Sequence, residues 1–277
     1  MDPLVSIVMP AYNAETFIGE AIESVLAQRY ANWELLIVND GSTDGTAGII
    51  DRYPDPRIRV LHKPNGGIGS ARNLALECAR GEYLCGLDAD DVLPPLSISS
   101  RVPVLISQPN VDIVDGKVLF KDGQMREVLR TFVPDFEGEP FPELLALRSS
   151  CFMGFSWLIR WQRDGSPRFT TRVTHGEDLC FYLDYSPGKR YAHVPVEVLH
   201  YRRTGSTVMS NLDGLARSYG YIHNWLGQQG IAAPAELRRF RWKSRMVMVR
   251  SYVRAGRPWQ AVLTLMDAGP FGDPYPL

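Results

Sequence analysis

Apolar positions along this chain recur in two alternating rhythms. Short unbroken runs come first: "VSIVM" (Val5–Met9, closed by Pro10), "WELLIVND", "IRVLH" and "GEYLCGLD". Each has the length and content of a strand buried on both faces. Between them the spacing turns helical. In "AETFIGEAIESVLAQRY" the residues Phe17, Ile18, Ala21, Ile22, Val25 and Leu26 share one side of a helix. "GSTDGTAGIIDRY" reads as a turn feeding a short helix, and "GGIGSARNLALECAR" as a helix opened by glycines. Strands and helices in this alternation pair in parallel through right-handed crossovers. The predicted fold is α/β, an open, doubly wound, mostly parallel sheet.

The second half is patterned differently. "VDIVDGKVLFKDGQMREVLRTFV" predicts a hairpin around "KDG", "CFMGFSWLIR" is a further apolar segment, and "HGEDLCFYLDYS" a mostly buried helix. "VLHYRRTGSTVMS" (Val198–Ser210) fits either a last strand running into a solvated loop or a mobile flap hinged at Gly205. From about Leu212 to Leu277 the pattern is helical. "ELRRFRWKSRMVMVRSYVRAGR" is strongly basic there, without clean segregation of apolar from cationic residues. A packed helix with a solvated cationic rim is the default for it, and docking on an anionic membrane surface the alternative.

Ligands of open α/β sheets bind beyond the carboxyl ends of the strands. Here "PAYN", "NDGSTD", "HKPNGG" and "DADD" follow the four strands in order, so four polar loops converge on one edge. Singly, each has a structural explanation: Asn13 and Asp44 can cap helices, and a G-x-G without its third glycine is weak evidence of a dinucleotide site. The last loop is the least comfortable. Asp88, Asp90 and Asp91 crowd negative charge at a strand tip, where two charges about 4 Å apart repel by roughly 1 kcal/mol in water and several-fold more near a protein surface. A bound cation turns that repulsion into coordination.

Composition narrows the classes. The chain has 277 residues, 45% hydrophobic, enough for one large domain or a domain with an appendage, and its formal charge of -1 makes it no trap for nucleic acid. Cys78, Cys85, Cys151 and Cys180 form no C-x-x-C pair and are read as free thiols of a reducing compartment. Neither a secretory leader nor a membrane-spanning run is recognisable, so the expected setting is cytoplasmic, with the inner membrane face as the place of any peripheral contact.

In order and spacing, "VSIVMPAYNAETFIGEAIESVLAQ", "ELLIVNDGSTDGT", "NGGIGSARNLAL" and "GEYLCGLDADDVL" resemble the family 2 inverting glycosyltransferases, which have the A-type nucleotide-sugar fold, and "HGEDLCFYL" extends the match. The resemblance implies a nucleotide-sugar-binding half over residues 1–100, an acceptor-binding half over 101–210, and a helical C-terminal extension over 211–277. It places Pro10, Ala11, Tyr12 and Asn13 along the nucleotide base, Asp40 as acceptor from base or ribose, and Arg72 near base and diphosphate. In "DADD" it implies that Asp90 meets the ribose and Asp91 a magnesium or manganese ion. Asp88 and Ala89 support them, and Asp90 stands close enough to serve the metal as well. Asp178 resembles the catalytic base, with Glu177 orienting the acceptor. Carboxylates at a helix start also suit the helix dipole, which is the structural alternative for this pair. His200, Arg202 and Arg203 are candidates to close over the diphosphate, whereas His62, His175, His193 and His223 lack metal-ligand spacing and are read as structural.

The function implied is metal-dependent inverting transfer from a nucleoside-diphosphate sugar, uridine preferred, to a hydroxyl of a saccharide or lipid-linked saccharide, in surface polysaccharide or glycoconjugate synthesis. A sugar-nucleotide pyrophosphorylase needs a Gly-rich start that "VSIVMPAYN" lacks. A non-catalytic nucleotide-sugar-binding scaffold fits poorly with intact "DADD" and Glu177-Asp178, and a dinucleotide oxidoreductase lacks the glycine fingerprint.

Overall fold

The computed structural model describes residues 2–151, 154–204 and 211–275. Its centre is one eight-stranded sheet. β1 (Val5–Ala11) pairs in parallel with β2 (Trp33–Asp40) and β4 (Tyr83–Gly86), and β2 with β3 (Ile58–Lys63). Beyond β4 the direction reverses. β7 (Leu158–Arg160) runs antiparallel to β4 and to β5 (Ile113–Asp122), while β6 (Val128–Phe132) and β8 (Tyr191–Arg203) both pair with β5. β5 and β6 are the hairpin expected around "KDG".

β1 and β2 are buried at every position, which is why their sequences run apolar without alternation. Successive side chains still part company. Val8, Leu36 and Val38 join the core beneath α3 (Ile68–Cys78) and α6 (Glu177–Tyr185), and Ile7, Met9, Leu35 and Ile37 the core beneath α1 (Ile18–Leu26) and α4 (Ser97–Ser107). Pro10 does not close β1 but lies inside it. β4 ends at Gly86, opposite Val8, so Pro10 sits where β1 has one neighbour and its missing N–H matters little.

Gly86 answers a close approach. A Cβ there would stand 1.7 Å from the Phe155 ring, so only glycine lets that ring lie against the strand. Phe155 belongs to an aromatic group with Phe169, Phe181 and Tyr182 that fills the space between β4 and α6.

The remaining helices are α2 (Thr46–Ile50), α5 (Phe141–Leu145), α7 (Leu212–Gln229), α8 (Pro234–Arg254) and α9 (Pro258–Leu265). The C-terminal three do not stand apart. Tyr221, Ile222, Leu226 and Phe240 enter the same core as the sheet, and Leu215, Met248, Tyr252, Ala261 and Phe271 make a smaller core among the helices. Among the described residues no helix is long and apolar enough to cross a membrane.

Candidate active site

The polar loops meet at the carboxyl edge of β1, β2, β3 and β4, and hydrogen bonds tie them together. Asn13, at φ 48°, accepts from Thr43 N–H (2.9 Å), while its own N–H reaches Ser42 Oγ (3.1 Å). Asp44 accepts from the N–H groups of Glu15 and Thr46. The two residues therefore staple the first loop to the second, more than either caps a helix. Tyr12 is left exposed at the rim.

Asp40 closes β2 and is buried. Its carboxylate receives Lys63 Nζ (2.5 Å) and the N–H groups of Gly66 (3.0 Å) and Gly67 (2.8 Å). It thus holds the glycine turn that opens α3, and any base N–H must share it with Lys63.

Arg72, on the first turns of α3, occupies the centre. Its guanidinium is 2% exposed and forks between two carboxylates 89 residues apart in the chain, donating from Nη2 to Asp88 (2.8 Å) and from Nη1 to Glu177 (2.8 Å). It lies 4.7 Å from the Phe155 ring centre and 5.2 Å from that of Phe169. Burial lowers its proton affinity, but Asp88 and Glu177 outweigh that and drive it up. Asn73 completes the device: its side chain both donates to Phe169 C=O and accepts from Phe169 N–H, at 2.8 Å each. The apolar-periodic reading of "ARN" did not single out Asn73, because its partner lies 96 residues away.

The acidic loop after β4 divides by burial. Asp88 and Asp90 keep partial exposure, Ala89 is packed away, and Asp91 is 3% exposed with one oxygen taken by Arg202 N–H (2.8 Å). Burial, then the charge of Asp88, pushes Asp90 up to about 6. Burial, then the charges of Asp90 and Asp88, raises Asp91 well above the usual carboxylate range. Asp88 and Asp90 are thus the members turned toward the open side, and Asp91 the one turned inward. Among the described residues no three His, Cys, Asp or Glu side chains converge to hold a metal alone. The donor set fits a hard divalent ion held by one or two carboxylates and completed by phosphate oxygens of a bound diphosphate, a usual arrangement for magnesium.

Across the gap, α6 begins at Gly176 with Glu177 and Asp178 in its first turn. Glu177 is anchored by Arg72. Among the described residues no cation pairs directly with Asp178. Burial, then the Glu177 charge, pushes it up to about 7, against the pull of Arg72 and of the Leu179 N–H at 2.7 Å. Two tyrosines that sequence patterning gave no reason to notice lie within the electrostatic influence of these carboxylates. Tyr201 on β8 feels the charges of Asp88, Asp90, Asp91 and Asp178, and Tyr219 on α7 feels Asp178.

The residues expected to close over the diphosphate lie differently. Arg202 is inside β8 and buried. Its guanidinium donates to Asp90 C=O (2.7 Å), Gly123 C=O (2.8 Å) and Glu20 (2.5 Å), and it stacks 4.4 Å over Phe17. Those bonds occupy it as a brace beneath the acidic loop. His200, in the same strand, bonds Glu197 (2.9 Å), its main chain pairs with Val92, and burial lowers its proton affinity. Arg203 alone of the three is exposed. The flap hinged at Gly205 falls at residues 205–210, outside the described residues.

α7 presses on the loop that leads into Glu177 and Asp178. A Cβ on Gly214 would meet His175 Cε1 at 2.7 Å, and Thr170 bonds the Tyr221 hydroxyl at 3.0 Å. Gly214→Val must therefore displace His175, three residues before Asp178. Overpacking of this kind costs about 1–3 kcal/mol of stability. A shift of about 1 Å at a reacting group costs on the order of a hundredfold in rate. Donor affinity by calorimetry should be unchanged while turnover falls.

Several comparisons bear on this geometry. The sequence profile described as glycosyl transferase family 2 matches residues 6–160. The uncharacterized glycosyltransferase EpsJ of Bacillus subtilis is 42% identical over 194 residues, 66% of this chain and 54% of that protein. The chain thus spans about half the length of that relative. Staphylococcus aureus TarS in complex with UDP-GlcNAc superposes with a TM-score of 0.69 at 19% identity, over 90% of this chain and 72% of that one. The mannosyltransferase PcManGT of Pyrobaculum calidifontis, in complex with GDP-Man and Mn2+, does so at 0.62 and 21%, over 96% and 79%. These structures share the A-type fold. With the profile covering more than half of its length, from β1 through β7, the chain belongs to glycosyl transferase family 2.

Proposed function

We propose that the protein transfers a sugar from a nucleoside-diphosphate donor, uridine preferred, to a hydroxyl of a saccharide or lipid-linked saccharide, with inversion at the anomeric carbon. One observation carries the reading. Arg72 ties the donor-side carboxylate Asp88 to Glu177, the neighbour of Asp178, so the donor loop and the candidate base are linked through one buried guanidinium.

The assignment of roles follows burial. Asp88 and Asp90 face the diphosphate and are the residues that would hold a magnesium or manganese ion. Asp91 anchors the loop through Arg202, so we assign the metal to its neighbours in place of the role that the resemblance implied for Asp91. A divalent ion there, when bound, neutralises charge on the departing diphosphate. Asp178 accepts the proton of the acceptor hydroxyl as its oxygen bonds to the anomeric carbon and the bond from that carbon to phosphate oxygen breaks. A single displacement of this kind inverts the configuration. Pro10, Ala11, Tyr12 and Asn13 line the base, and Asp40 accepts its imide N–H if Lys63 yields an oxygen.

Support comes from family membership, from the UDP-GlcNAc bound by TarS and from the Mn2+ and GDP-Man bound by PcManGT. Calorimetry with uridine, thymidine and guanosine diphosphates, each with and without Mn2+, tests the reading. The first two should outrank the third, and the ion should tighten binding in the native protein but not in Asp90→Asn. If guanosine diphosphate binds tightest, Asp40 does no more than hold the Gly66–Gly67 turn. Affinity indifferent to Mn2+ would remove the metal role of Asp90.

A further inference from the structure

Away from the site, the outer surface of α8 and α9 combines unpaired cations with exposed apolar side chains. Residues 231–266 carry eight cations and one acid, although the whole chain is near neutral. Three of the cations are engaged: Arg241 and Arg245 with Asp267, and Arg257 with Asp213. The acid, Glu236, caps Ala233 N–H at 2.8 Å. Arg238, Arg239, Lys243, Arg250 and Arg254 have no ion-pair partner among the described residues.

Large apolar side chains stand exposed among these cations. α8 buries Phe240, Ser244, Met248 and Tyr252, one residue per turn, and its opposite side carries Arg239, Trp242, Arg250 and Val253. Trp242 is 60% exposed and Val253 59%. On α9 and at its C-terminal end, Trp259, Val262 and Met266 follow at helical spacing, with Trp259 at 66% and Met266 at 72%. Trp242 also lines a cleft of about 200 Å³ with Arg239, Lys243 and Arg148. Arg148 is paired there with Glu143 (2.7 Å), which leaves Arg239 and Lys243 beside the indole, an arrangement that suits a phosphate headgroup with an apolar body next to it.

We propose that this face docks on an anionic lipid bilayer, Trp242 and Trp259 entering the interface and the five unpaired cations meeting headgroup phosphates. Tryptophan prefers that interface, aliphatic side chains gain by burial below it, and each nearby cation adds attraction to an acidic surface. A second copy of the chain is the less suitable occupant. A two-fold contact through this patch sets its cations against themselves. The inference is independent of the donor and acceptor assignments, since none of these residues belongs to the active site.

The test is co-sedimentation of the full chain with vesicles of phosphatidylcholine alone, or of an equal mixture with phosphatidylglycerol. Binding is expected to the mixed vesicles only, and to weaken as salt rises. Arg239→Gln, Arg250→Gln and Arg254→Gln combined should weaken partitioning on the order of a hundredfold. Trp242→Ala with Trp259→Ala should reduce binding even at low salt. All five positions are exposed, so the thermal transition should stay in place and separate lost docking from lost folding. No sedimentation of the native chain at low salt would overturn the proposal, as would equal binding by the arginine variant. A concentration-dependent rise in mass without vesicles, abolished by Trp259→Ala, would assign the face to a second copy instead.

Discussion

Asp178→Asn will leave donor binding intact and slow turnover by about 10²- to 10⁴-fold, the usual range for loss of a general base. The two side chains are nearly isosteric, and the nucleotide loops lie across the gap from α6, so packing and donor contacts are unaffected. What disappears is the capacity to take a proton. In the native protein Asp178 is pushed up to about 7 by burial and by Glu177, well above an ordinary aspartate. Activity should therefore fall as pH drops through about 7, because the base becomes protonated, and the variant should lack that limb. Stability should move the opposite way. A carboxyl whose proton affinity is raised by folding favours the folded state fully at low pH, and that contribution is lost as pH rises through its folded value. At neutral pH and above Asp178 is a charge the fold disfavours, so the variant should melt no lower than the native protein. Near-normal turnover in Asp178→Asn would move the base elsewhere, with Glu177 the first candidate.

The largest loss of stability is expected at Arg72. Arg72→Met keeps most of the volume but leaves Asp88, Glu177 and Asp178 facing one another without a cation. Breaking a buried ion pair from one side costs about 3–5 kcal/mol. The stacking on Phe155 and Phe169 goes with it. Arg72→Lys restores the charge but not the planar fork that reaches two carboxylates, so it should recover part of the loss. Because Arg72 also holds down the proton affinity of Asp178, the acid limb of the activity profile should move to higher pH in Arg72→Met. Urea denaturation measures the first effect and a pH–rate profile the second. A loss under about 1 kcal/mol, the worth of an exposed pair, would show that the network is solvent-screened and not a structural link.

Local pattern carried the nucleotide half of the fold. Unbroken apolar runs marked β1, β2, β3 and β4 as strands, and the polar loops after them meet where parallel topology requires. β1, β2 and β4 are buried throughout, whereas β3 lies at the sheet edge and is only partly covered. α4 escaped notice because Pro103 sits in its interior and reads as a breaker. Gly86 looked like an ordinary strand residue, since the ring it accommodates arrives from a segment far along the chain. The acidic loop shows a different limit. Asp88, Asp90 and Asp91 are chemically alike in sequence, and only the register of β8 against Val92 decides that Asp91 turns inward to Arg202. Arg202 was legible as a cation near the site but not as a brace, because its partners are main-chain carbonyls and Glu20, 182 residues away. Tyr201 and Tyr219 had no periodic signature at all. They come under the influence of the carboxylates through β8 and α7, whose placement depends on packing of the whole second half.

The central claim is a single displacement at the anomeric carbon with Asp178 as base. The anomeric configuration of the product, read by nuclear magnetic resonance after transfer from the donor that calorimetry ranks first, tests it most directly. An α-linked nucleotide sugar should yield a β-linked product. An α-linked product would contradict the account, because retention requires a second displacement or a front-face path in which Asp178 does not serve as the described base.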